Sequence, residues 1–445
     1  MKKFDVFVFG TGTAGKYVAD QCAQNGKKVG IIDNRDYGGT CSQRGCDPKK
    51  LMLASMEAYE FGKNMKGDGI KNVPEIDFNA AHRYAKRYVS DIPSNTEEML
   101  KNDGVACYHG EAHFVDEHTI ELDGEKIQSD VFVIATGLKT RPLGIPGEEY
   151  ALTSGDFFGL QEPPKTVVFI GAGYIGMEFS HMLNRSGSKV TILERDDQIM
   201  KPFEAFTANM LDTASTEQGI NILKNAQVSS IEKKGDRFVV NYAMDDGTHQ
   251  ITFDTVFNTA GRVPSIDVLQ LENANVVTTT AGVQVNHYLQ STSQSHFYAC
   301  GDVSSKNLPL TPLSGKEAKV VTRNILNKKE KFDFPVIPSV AFTIPNCGGI
   351  GMTEIEAENA GLHFDVIERD ASDWFNNQRI NAQYYAFKIL VEKETDKILG
   401  THILGQEAAE QLNMFAIAMK ADLKWSDLKD TIFTYPSWGN DILSM

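Results

Sequence analysis

The stretch Phe4-Asp5-Val6-Phe7-Val8-Phe9-Gly10-Thr11-Gly12-Thr13-Ala14-Gly15 decides the fold of the first part of this chain. An apolar run of strand type leads into a Gly-x-Gly-x-x-Gly turn, and an amphipathic helical stretch follows from Lys16 to Asn25. A second apolar run, Lys28 to Ile32, ends at Asp33, 18 residues beyond the last glycine of the turn. This pattern predicts a β-α-β unit that binds a dinucleotide, with the phosphates at the helix N-terminus and the acid on a ribose.

The same pattern recurs in the middle of the chain. A run from Thr166 to Ile170 leads into Gly171-Ala172-Gly173-Tyr174-Ile175-Gly176, and a helical stretch follows from Met177 to Ser186. The second strand, Lys189 to Leu193, ends at Glu194, again 18 residues beyond the last glycine. In each turn the first glycine permits a tight bend, the second lets a pyrophosphate approach, and the third lets helix and strand pack closely. Two complete fingerprints predict two bound dinucleotides.

Two cysteines lie between the fingerprints, in Gly38-Gly39-Thr40-Cys41-Ser42-Gln43-Arg44-Gly45-Cys46-Asp47-Pro48-Lys49-Lys50, and the apolar run from Leu51 predicts a helix that continues from them. Residues five apart in a regular helix have Cα atoms about 8.7 Å apart, whereas a disulfide needs roughly 4.4–6.8 Å. If Cys41 and Cys46 pair, the backbone is not a plain helix, and Gly45 and Pro48 would permit an irregular first turn. The alternative is a pair of buried free thiols, which the surrounding glycine, lysine and proline do not favour.

Composition limits the class of protein. A chain of 445 residues has room for about two to four domains. The net charge of -15 and the pI near 5.2 argue against a nucleic acid or an anionic membrane surface as partner. No apolar run is long enough to span a bilayer and no signal peptide precedes Phe4, so we expect a cytoplasmic protein. In a reducing compartment a close cysteine pair is redox-active or binds a metal, and no second pair or nearby histidine completes a zinc site.

These features together resemble the class I pyridine nucleotide-disulfide oxidoreductases, the family of glutathione reductase, dihydrolipoamide dehydrogenase and mercuric reductase. The resemblance covers nearly the whole chain, and its further motifs are Ala135-Thr136-Gly137, Ala260-Gly261-Arg262-Val263-Pro264, Ala299-Cys300-Gly301-Asp302-Val303, Leu310-Thr311-Pro312 and Phe342-Thr343-Ile344-Pro345. It implies an α/β fold with two Rossmann-like dinucleotide-binding domains and a C-terminal α+β dimerisation domain, and it implies a homodimer. The implied segments are an FAD-binding domain at 1–146, an NAD(P)-binding domain at 147–262, a returning FAD-binding segment at 263–331 and an interface domain at 332–445.

The resemblance also implies an electron path from a nicotinamide through FAD to a Cys41–Cys46 disulfide and on to an external acceptor. Cys46 would face the flavin as the charge-transfer thiolate, and Cys41 would attack the acceptor. Lys49 would lie near the flavin with Glu178 as its partner, and Tyr174 would cover the nicotinamide pocket. The residues implied to bind the two cofactors are Gly10, Gly12, Thr13, Ala14, Gly15, Asp33, Gly39, Thr40, Lys50, Ala135, Thr136, Gly137, Gly171, Gly173, Tyr174, Ile175, Gly176, Glu194, Arg195, Gly261, Arg262, Gly301, Asp302, Leu310 and Thr311.

Four further residues are open to more than one interpretation. Glu194 favours NADH over NADPH, because a carboxylate accepts from the ribose 2′-OH and repels a 2′-phosphate, but Arg195 beside it weakens that preference. Arg44, between the two cysteines, is unusual for the family and could equally be a solvated surface charge. Cys300 and Cys347 are expected to be packing residues, and whether either has a redox role stays open.

Tyr435 and Asn440 depart from the family pattern. They stand where the family has the histidine of a His-Pro-Thr segment and the glutamate that orients it. In the family that histidine, from the other subunit, protonates the leaving thiolate; an imidazole suits this transfer at neutral pH, whereas a phenol is a poor general base. Three interpretations remain: a disulfide reductase in which water or another group supplies the proton, an NAD(P)H-dependent metal-ion or quinone reductase, and a non-catalytic redox-sensing flavoprotein.

Overall fold

The computed structural model describes residues 1–306 and 308–445. The elements of the first third of the chain are β1 (Lys2–Phe9), α1 (Thr13–Gln24), β2 (Val29–Asp33), α2 (Gly39–Arg44), α3 (Cys46–Asn64), α4 (Phe78–Val89), α5 (Ile92–Asn102), β3 (Ala106–His109), β4 (His113–Asp116), β5 (Thr119–Leu122), β6 (Glu125–Ile134) and β7 (Leu138–Thr140).

The middle of the chain continues with β8 (Thr166–Ile170), α6 (Tyr174–Arg185), β9 (Lys189–Leu193), α7 (Ala205–Glu217), β10 (Asn221–Leu223), β11 (Gln227–Lys234), β12 (Arg237–Met244), β13 (Gly247–Phe253), β14 (Thr255–Asn258), β15 (Arg262–Pro264), β16 (Thr278–Thr279), β17 (Gly282–Val283), β18 (Phe297–Ala299) and α8 (Thr311–Ile325). The last part holds β19 (Ser339–Ala341), β20 (Asn346–Gly351), α9 (Glu354–Asn359), β21 (Phe364–Asp370), α10 (Phe375–Gln378), β22 (Ala386–Glu392), β23 (Ile398–Gly405), α11 (Ala408–Lys420) and α12 (Trp425–Lys429).

One compact unit consists of Met1–Leu51, His82–Arg141 and Gly261–Phe334. Its main sheet has the order β3-β2-β1-β6-β5-β4, and β18 pairs with β6. The strands β3, β2, β1, β6 and β18 pair in parallel, while β4 and β5 pair antiparallel. Phe7 and Val8 in the central strand are fully buried, as expected for a parallel strand covered on both faces.

The other compact unit consists of Met52–Ala81, Pro142–Ala260 and Pro335–Met445. It contains a parallel sheet of order β10-β9-β8-β14, an antiparallel sheet of order β11-β12-β13, and a five-stranded antiparallel sheet of order β19-β20-β23-β22-β21. Leu412 and Phe415 of α11 are buried in one apolar cluster with Phe387 and Ile389 of β22. The predicted fold class, two Rossmann-like units and a C-terminal α+β part, is confirmed.

The helices that follow the two glycine turns begin earlier than predicted. The sequence pattern placed their starts at Lys16 and Met177, whereas α1 starts at Thr13 and α6 at Tyr174. The reason is that the last residues of each glycine turn already form the first helical turn, so that the Lys16 N–H donates to the Gly12 carbonyl at 3.0 Å. The predicted segment boundaries near 146, 262 and 331 stay predictions.

In the described part of the chain, no helix combines the length and the apolar character that crossing a membrane requires.

Candidate active site

Three of the predicted motifs follow three neighbouring parallel strands. Phe9, the last residue of β1, lies opposite Ile134, the last residue of β6, and Ile134 lies opposite Ala299, the last residue of β18. The carboxyl ends of parallel strands meet at one edge of a sheet, where open α/β sheets bind their ligands. The first glycine turn, Ala135-Thr136-Gly137 and Gly301-Asp302 are therefore brought together at that edge.

The first glycine turn is packed too closely for side chains. A Cβ atom on Gly15 would lie 1.9 Å from the Gly10 carbonyl oxygen, so α1 packs directly on the turn. Gly39 has a φ of +81°, and a Cβ there would lie 2.5 Å from the Gly12 Cα. The backbone at Gly39 and the backbone at Gly12 thus lie against each other at the N-terminus of α1. Because neither glycine carries a side chain, the backbone N–H groups at this end of the helix are accessible to a phosphate.

Asp33 ends β2 with its carboxylate held by the backbone. Its Oδ2 accepts from the Thr11 N–H at 2.8 Å and from the Thr11 hydroxyl at 2.6 Å, and its Oδ1 accepts from the Arg35 N–H at 3.0 Å. Each carboxylate oxygen has further lone pairs, so the group is fixed in place and can still accept from a ribose hydroxyl.

These segments surround a cavity of about 300 Å³. The predicted cofactor residues that line it are Gly10, Gly12, Thr13, Ala14, Asp33, Gly39, Thr40, Ala135, Thr136, Gly137, Arg262, Gly301, Asp302 and Thr311. Gly15, Lys50, Gly261 and Leu310 do not line it. Cys41 and Arg44 also face this cavity.

The cavity fits a flavin dinucleotide. The Arg44 Nε and the Thr136 Oγ1 are buried there and have no hydrogen-bond partner among the described residues, which is the situation that a bound polar ligand relieves. Asp302 lies 3.7 Å from Arg262 and accepts from the Ser314 hydroxyl at 3.4 Å. Burial raises the pKa of Asp302, and Arg262 opposes that shift. The cavity lining thus offers donors that suit phosphates and an acceptor that suits ribityl hydroxyls.

The two cysteines lie on either side of a break between two helices. Helix α2 ends at Arg44, Gly45 has φ −142° and ψ −118°, and α3 begins at Cys46. The predicted irregular backbone is thus present, and α3 starts five residues earlier than the apolar run from Leu51 indicated. Both cysteines are free thiols, Cys41 is partly buried and Cys46 is exposed, so the interpretation as two buried core thiols is wrong.

Cys41 has the environment of a reactive thiol. A hydrogen bond from the Cys46 thiol is the main cause that lowers the pKa of Cys41 to about 6, and a second comes from the Thr311 hydroxyl, both against the effect of burial. Thiolates are the nucleophilic form of cysteine. Cys41 is therefore largely ionised at neutral pH.

The predicted lysine and glutamate near the flavin are both buried, with 8% of Lys49 and 3% of Glu178 exposed. Lys49 follows Cys46 by three residues on α3, so the two share a helix face. Glu178 accepts from the Phe342 N–H at 2.8 Å. Lys50, in contrast, is exposed.

The second glycine turn repeats the geometry of the first. A Cβ on Gly176 would lie 2.3 Å from the Gly171 carbonyl oxygen. Glu194 accepts from the Ala172 N–H at 2.6 Å and from the Asp196 N–H at 2.9 Å, so its carboxylate is fixed at the end of β9. Tyr174 is the first residue of α6 and is exposed, Ile175 after it is half-buried, and Arg195 beyond Glu194 is exposed.

Tyr435, in the C-terminal segment, is exposed to solvent over 75% of its surface. Asn440 begins a 3₁₀ helix that runs to Ser444, and its N–H donates to the Ser437 hydroxyl at 3.2 Å. The adjacent Asp441 is buried and accepts from the Asn376 amide at 2.9 Å. This hydrogen bond connects the C-terminal segment to α10, which contains Asn376.

Sequence reasoning missed Glu317. It is fully buried on α8 and accepts from the Gly301 N–H at 2.7 Å, which supports the turn that carries Asp302. Burial raises the pKa of Glu317 to about 8. The available signal was an acid on the apolar face of an amphipathic helix, between Leu313 and Val321.

Cys300 and Cys347 are both fully buried. Burial raises the pKa of Cys300, and it raises the pKa of Cys347 to about 12. Both thiols are protonated at neutral pH, in keeping with a packing role.

Comparison with known proteins identifies the family. The profile described as pyridine nucleotide-disulphide oxidoreductase matches residues 4–318, and the profile for the dimerisation domain of the same family matches residues 337–444. The chain is 32% identical to a glutathione reductase of Nostoc sp., with 99% of each chain covered. It is 32% identical to a dihydrolipoyl dehydrogenase of Geobacillus stearothermophilus, with 98% of this chain and 94% of the relative covered.

A solved structure shares the fold over the whole length. The HOCl-induced flavoprotein disulfide reductase RclA from Escherichia coli superposes with a TM-score of 0.87 at 27% identity, and 99% of each chain is covered. A Cu(II) complex of the same reductase matches with a TM-score of 0.87 at 26% identity, over 100% of this chain and 99% of that one. The chain therefore belongs to the class I pyridine nucleotide-disulfide oxidoreductases, a family of FAD-dependent enzymes that use a pyridine nucleotide.

Proposed function

We propose that this protein is a cytoplasmic, homodimeric NAD(P)H oxidoreductase that reduces a disulfide acceptor through Cys41 and Cys46. The observation that carries the proposal is the Cys41 thiol at the cavity wall, whose interaction with the Cys46 thiol lowers its pKa to about 6. Bound FAD supplies the two-electron relay between the nicotinamide and sulfur.

In the proposed reaction the Cys41 thiolate attacks one sulfur of the acceptor disulfide. A mixed disulfide forms, and the other acceptor sulfur leaves as a thiolate that takes up a proton. Cys46 then loses its proton and attacks Cys41 as a thiolate, which closes the Cys41–Cys46 disulfide and releases the second acceptor sulfur as a thiolate that takes up a proton. Oxidation of one NAD(P)H would supply the two electrons that reopen that disulfide, so one turnover consumes one NAD(P)H and one proton and yields two acceptor thiols.

Cys46 is proposed to face the flavin. Reduction of the wild-type holoenzyme by two electrons per subunit should produce a long-wavelength charge-transfer band. Cys41→Ser should show the band before any reduction, because its Cys46 is already a free thiol beside oxidised flavin, and Cys46→Ser should lack it. A wild type that never develops the band would overturn the role given to Cys46.

Tyr435 and Asn440 replace the family's acid–base pair, and we propose that water or Tyr435 delivers the proton to the leaving thiolate. Tyr435 is largely exposed, so its hydroxyl is accessible to an acceptor. Tyr435→Phe should leave turnover and its pH profile unchanged if water is the donor, whereas a large loss with a shifted profile would identify Tyr435 as the donor.

We propose NADH as the preferred nucleotide, because the Glu194 carboxylate is fixed at the end of β9 by two backbone N–H groups and would repel a 2′-phosphate. The test compares kcat/KM for NADH and NADPH. Glu194→Ser should lower the preference for NADH, and a wild type that prefers NADPH would contradict the assignment.

A metal-ion or quinone reductase is the second candidate. The structurally similar RclA has been solved as a Cu(II) complex, and one-electron acceptors need less proton transfer than a disulfide does. NADH oxidation with oxidised glutathione, lipoamide, a quinone and Cu(II) separates the two. Turnover with a disulfide alone supports the first proposal, turnover with Cu(II) or quinone alone supports the second, and turnover with none contradicts both.

A further inference from the structure

Arg44 is a cation inside the dinucleotide cavity that the predicted family roles do not use. It is the last residue of α2, four residues after Thr40 and three after Cys41, and all three side chains line the same cavity. Residues three and four apart share a helix face, and helical side chains lean toward the N-terminus. The guanidinium therefore extends along the wall toward Gly39, whose backbone meets Gly12 in the first glycine turn.

The guanidinium of Arg44 is only partly compensated within the described residues. The group is half-buried, its Nε is buried, and this Nε has no hydrogen-bond partner there. Burial is the main cause that lowers the pKa of Arg44, and Arg35 adds to it, while Asp33 and Asp36 act in the opposite direction. A buried guanidinium N–H without a partner is unfavourable until a ligand supplies an acceptor.

Two other cations at this cavity, in contrast, have acidic partners. Arg262 lies 3.7 Å from Asp302, and Lys139 forms an ion pair with Asp267. No such pair involves Arg44 in the part of the chain that the structure describes. The buried Nε argues against a fully solvated surface charge, and Arg44 belongs to the same short helix as Gly39, whose backbone meets the first glycine turn.

We propose that Arg44 binds a diphosphate oxygen of the FAD in this cavity, and thereby holds the cofactor. The inference rests on the proposed function, since it takes FAD as the dinucleotide of the first fingerprint. Guanidinium and phosphate form charge-assisted, often bidentate hydrogen bonds. Arg44 thus donates hydrogen bonds to the diphosphate from its side chain, whereas the glycine turn donates them from its backbone N–H groups.

The test is the rate of FAD release from the full-length holoenzyme, followed by the gain of flavin fluorescence after dilution. Arg44→Gln should release FAD about tenfold to hundredfold faster, the factor that corresponds to one hydrogen bond to a charged group. Arg44→Lys, which keeps the charge, should release it at an intermediate rate. Arg83→Gln removes an exposed arginine of α4 and should match the wild type.

The dependence of the FAD release rate on salt concentration distinguishes a contact of Arg44 with phosphate from stacking of Arg44 on the adenine ring. Release from the wild type and from Arg44→Lys should accelerate more with ionic strength than release from Arg44→Gln, because only the charge–charge contact is screened. If Arg44→Lys behaves like Arg44→Gln and neither differs from the wild type in salt dependence, the phosphate assignment is overturned.

The two proposals fail separately. A wild type that carries no flavin would overturn the proposed function, whereas a flavin-bound wild type with equal release from Arg44→Gln would overturn only the role of Arg44. If Arg44→Gln does not fold, the intermediate rate expected of Arg44→Lys still decides the matter.

Discussion

Cys41 is the residue whose chemistry the folded chain changes most directly. The pKa of Cys41 is lowered to about 6, chiefly by the Cys46 thiol, whereas the pKa of an ordinary cysteine thiol is about 8.5. Below the lowered pKa the thiol is protonated and unreactive, and above it the thiolate is populated.

We expect the rate of alkylation of Cys41 in the reduced protein to rise with a midpoint near pH 6. Cys46→Ala removes the side-chain donor that is the main cause of the shift, so the midpoint should move upward. Replacing the buried Cys22 by serine should not move it. Mass spectrometry of iodoacetamide-treated protein across pH measures this, and a wild-type midpoint near 8.5 would contradict the lowered pKa.

Glu317 makes stability depend on pH. Its pKa is raised from 4.5 to about 8 by burial, so between these values the folded state keeps a proton that the unfolded chain has lost. The free energy of unfolding therefore falls as pH rises through this window.

Glu317→Gln should abolish that part of the pH dependence while it keeps an acceptor for the Gly301 N–H. Above pH 8 the variant should be more stable than the wild type, by an amount on the order of a few kcal/mol. Thermal unfolding of both holoproteins from pH 5 to pH 9 tests it, and parallel curves for the two proteins would refute the assignment.

At the scale of elements, two glycines of the second glycine turn have different tasks: one allows helix packing and the other leaves space for a ligand. A Cβ on Gly176 would lie 2.3 Å from the Gly171 carbonyl oxygen, whereas a Cβ on Gly173 would meet nothing within 4 Å. Gly176 is thus required for α6 to pack on its strand, and Gly173 leaves space beside the turn.

We expect Gly176→Ala to lower the melting temperature by several degrees, because the helix must move away from the turn. Gly173→Ala should fold with nearly wild-type stability and should raise the KM for the nicotinamide nucleotide, because its methyl group takes the space of the pyrophosphate. Equal effects of the two substitutions on stability would show that the glycines do not have these separate tasks.

For the whole molecule, the segment from Pro335 to Met445 carries exposed apolar side chains. Ile432 is 96% exposed, and Ile355, Phe375 and Ile417 are also exposed. These residues lie in the part that matches the family's dimerisation domain. Exposed large apolar side chains in a dimerisation domain favour a protein–protein interface that would cover them.

We expect light scattering to give twice the chain mass of 49.2 kDa. Ile432→Asp should shift the protein toward the mass of one chain, because burying an unpaired carboxylate in the interface is unfavourable. Val277→Asp, a matched change at an exposed valine in the other compact unit, should not. A single-chain mass for the wild type would contradict the proposed homodimer.

The features of this protein that could be predicted from the sequence are those determined by residues that are neighbours in the chain. The apolar runs beside the second glycine turn predicted the strands Thr166–Ile170 and Lys189–Leu193 as the structure has them. The distance between residues five apart in a helix predicted an irregular backbone if Cys41 and Cys46 pair, and the backbone is interrupted at Gly45 although both thiols are free in this structure. The family resemblance is confirmed as well, because its motifs are short and contiguous.

The sequence by itself determined the two dinucleotide units, the cysteine pair and the family, since strand, turn and helix preferences act between neighbours in the chain. Only the tertiary structure decided that Arg44 faces the cavity, that Glu317 supports the Gly301 turn, and that Thr311 reaches Cys41. Such contacts join residues far apart in sequence, and the burial that changes their charge states exists only once the sheet has brought the segments together.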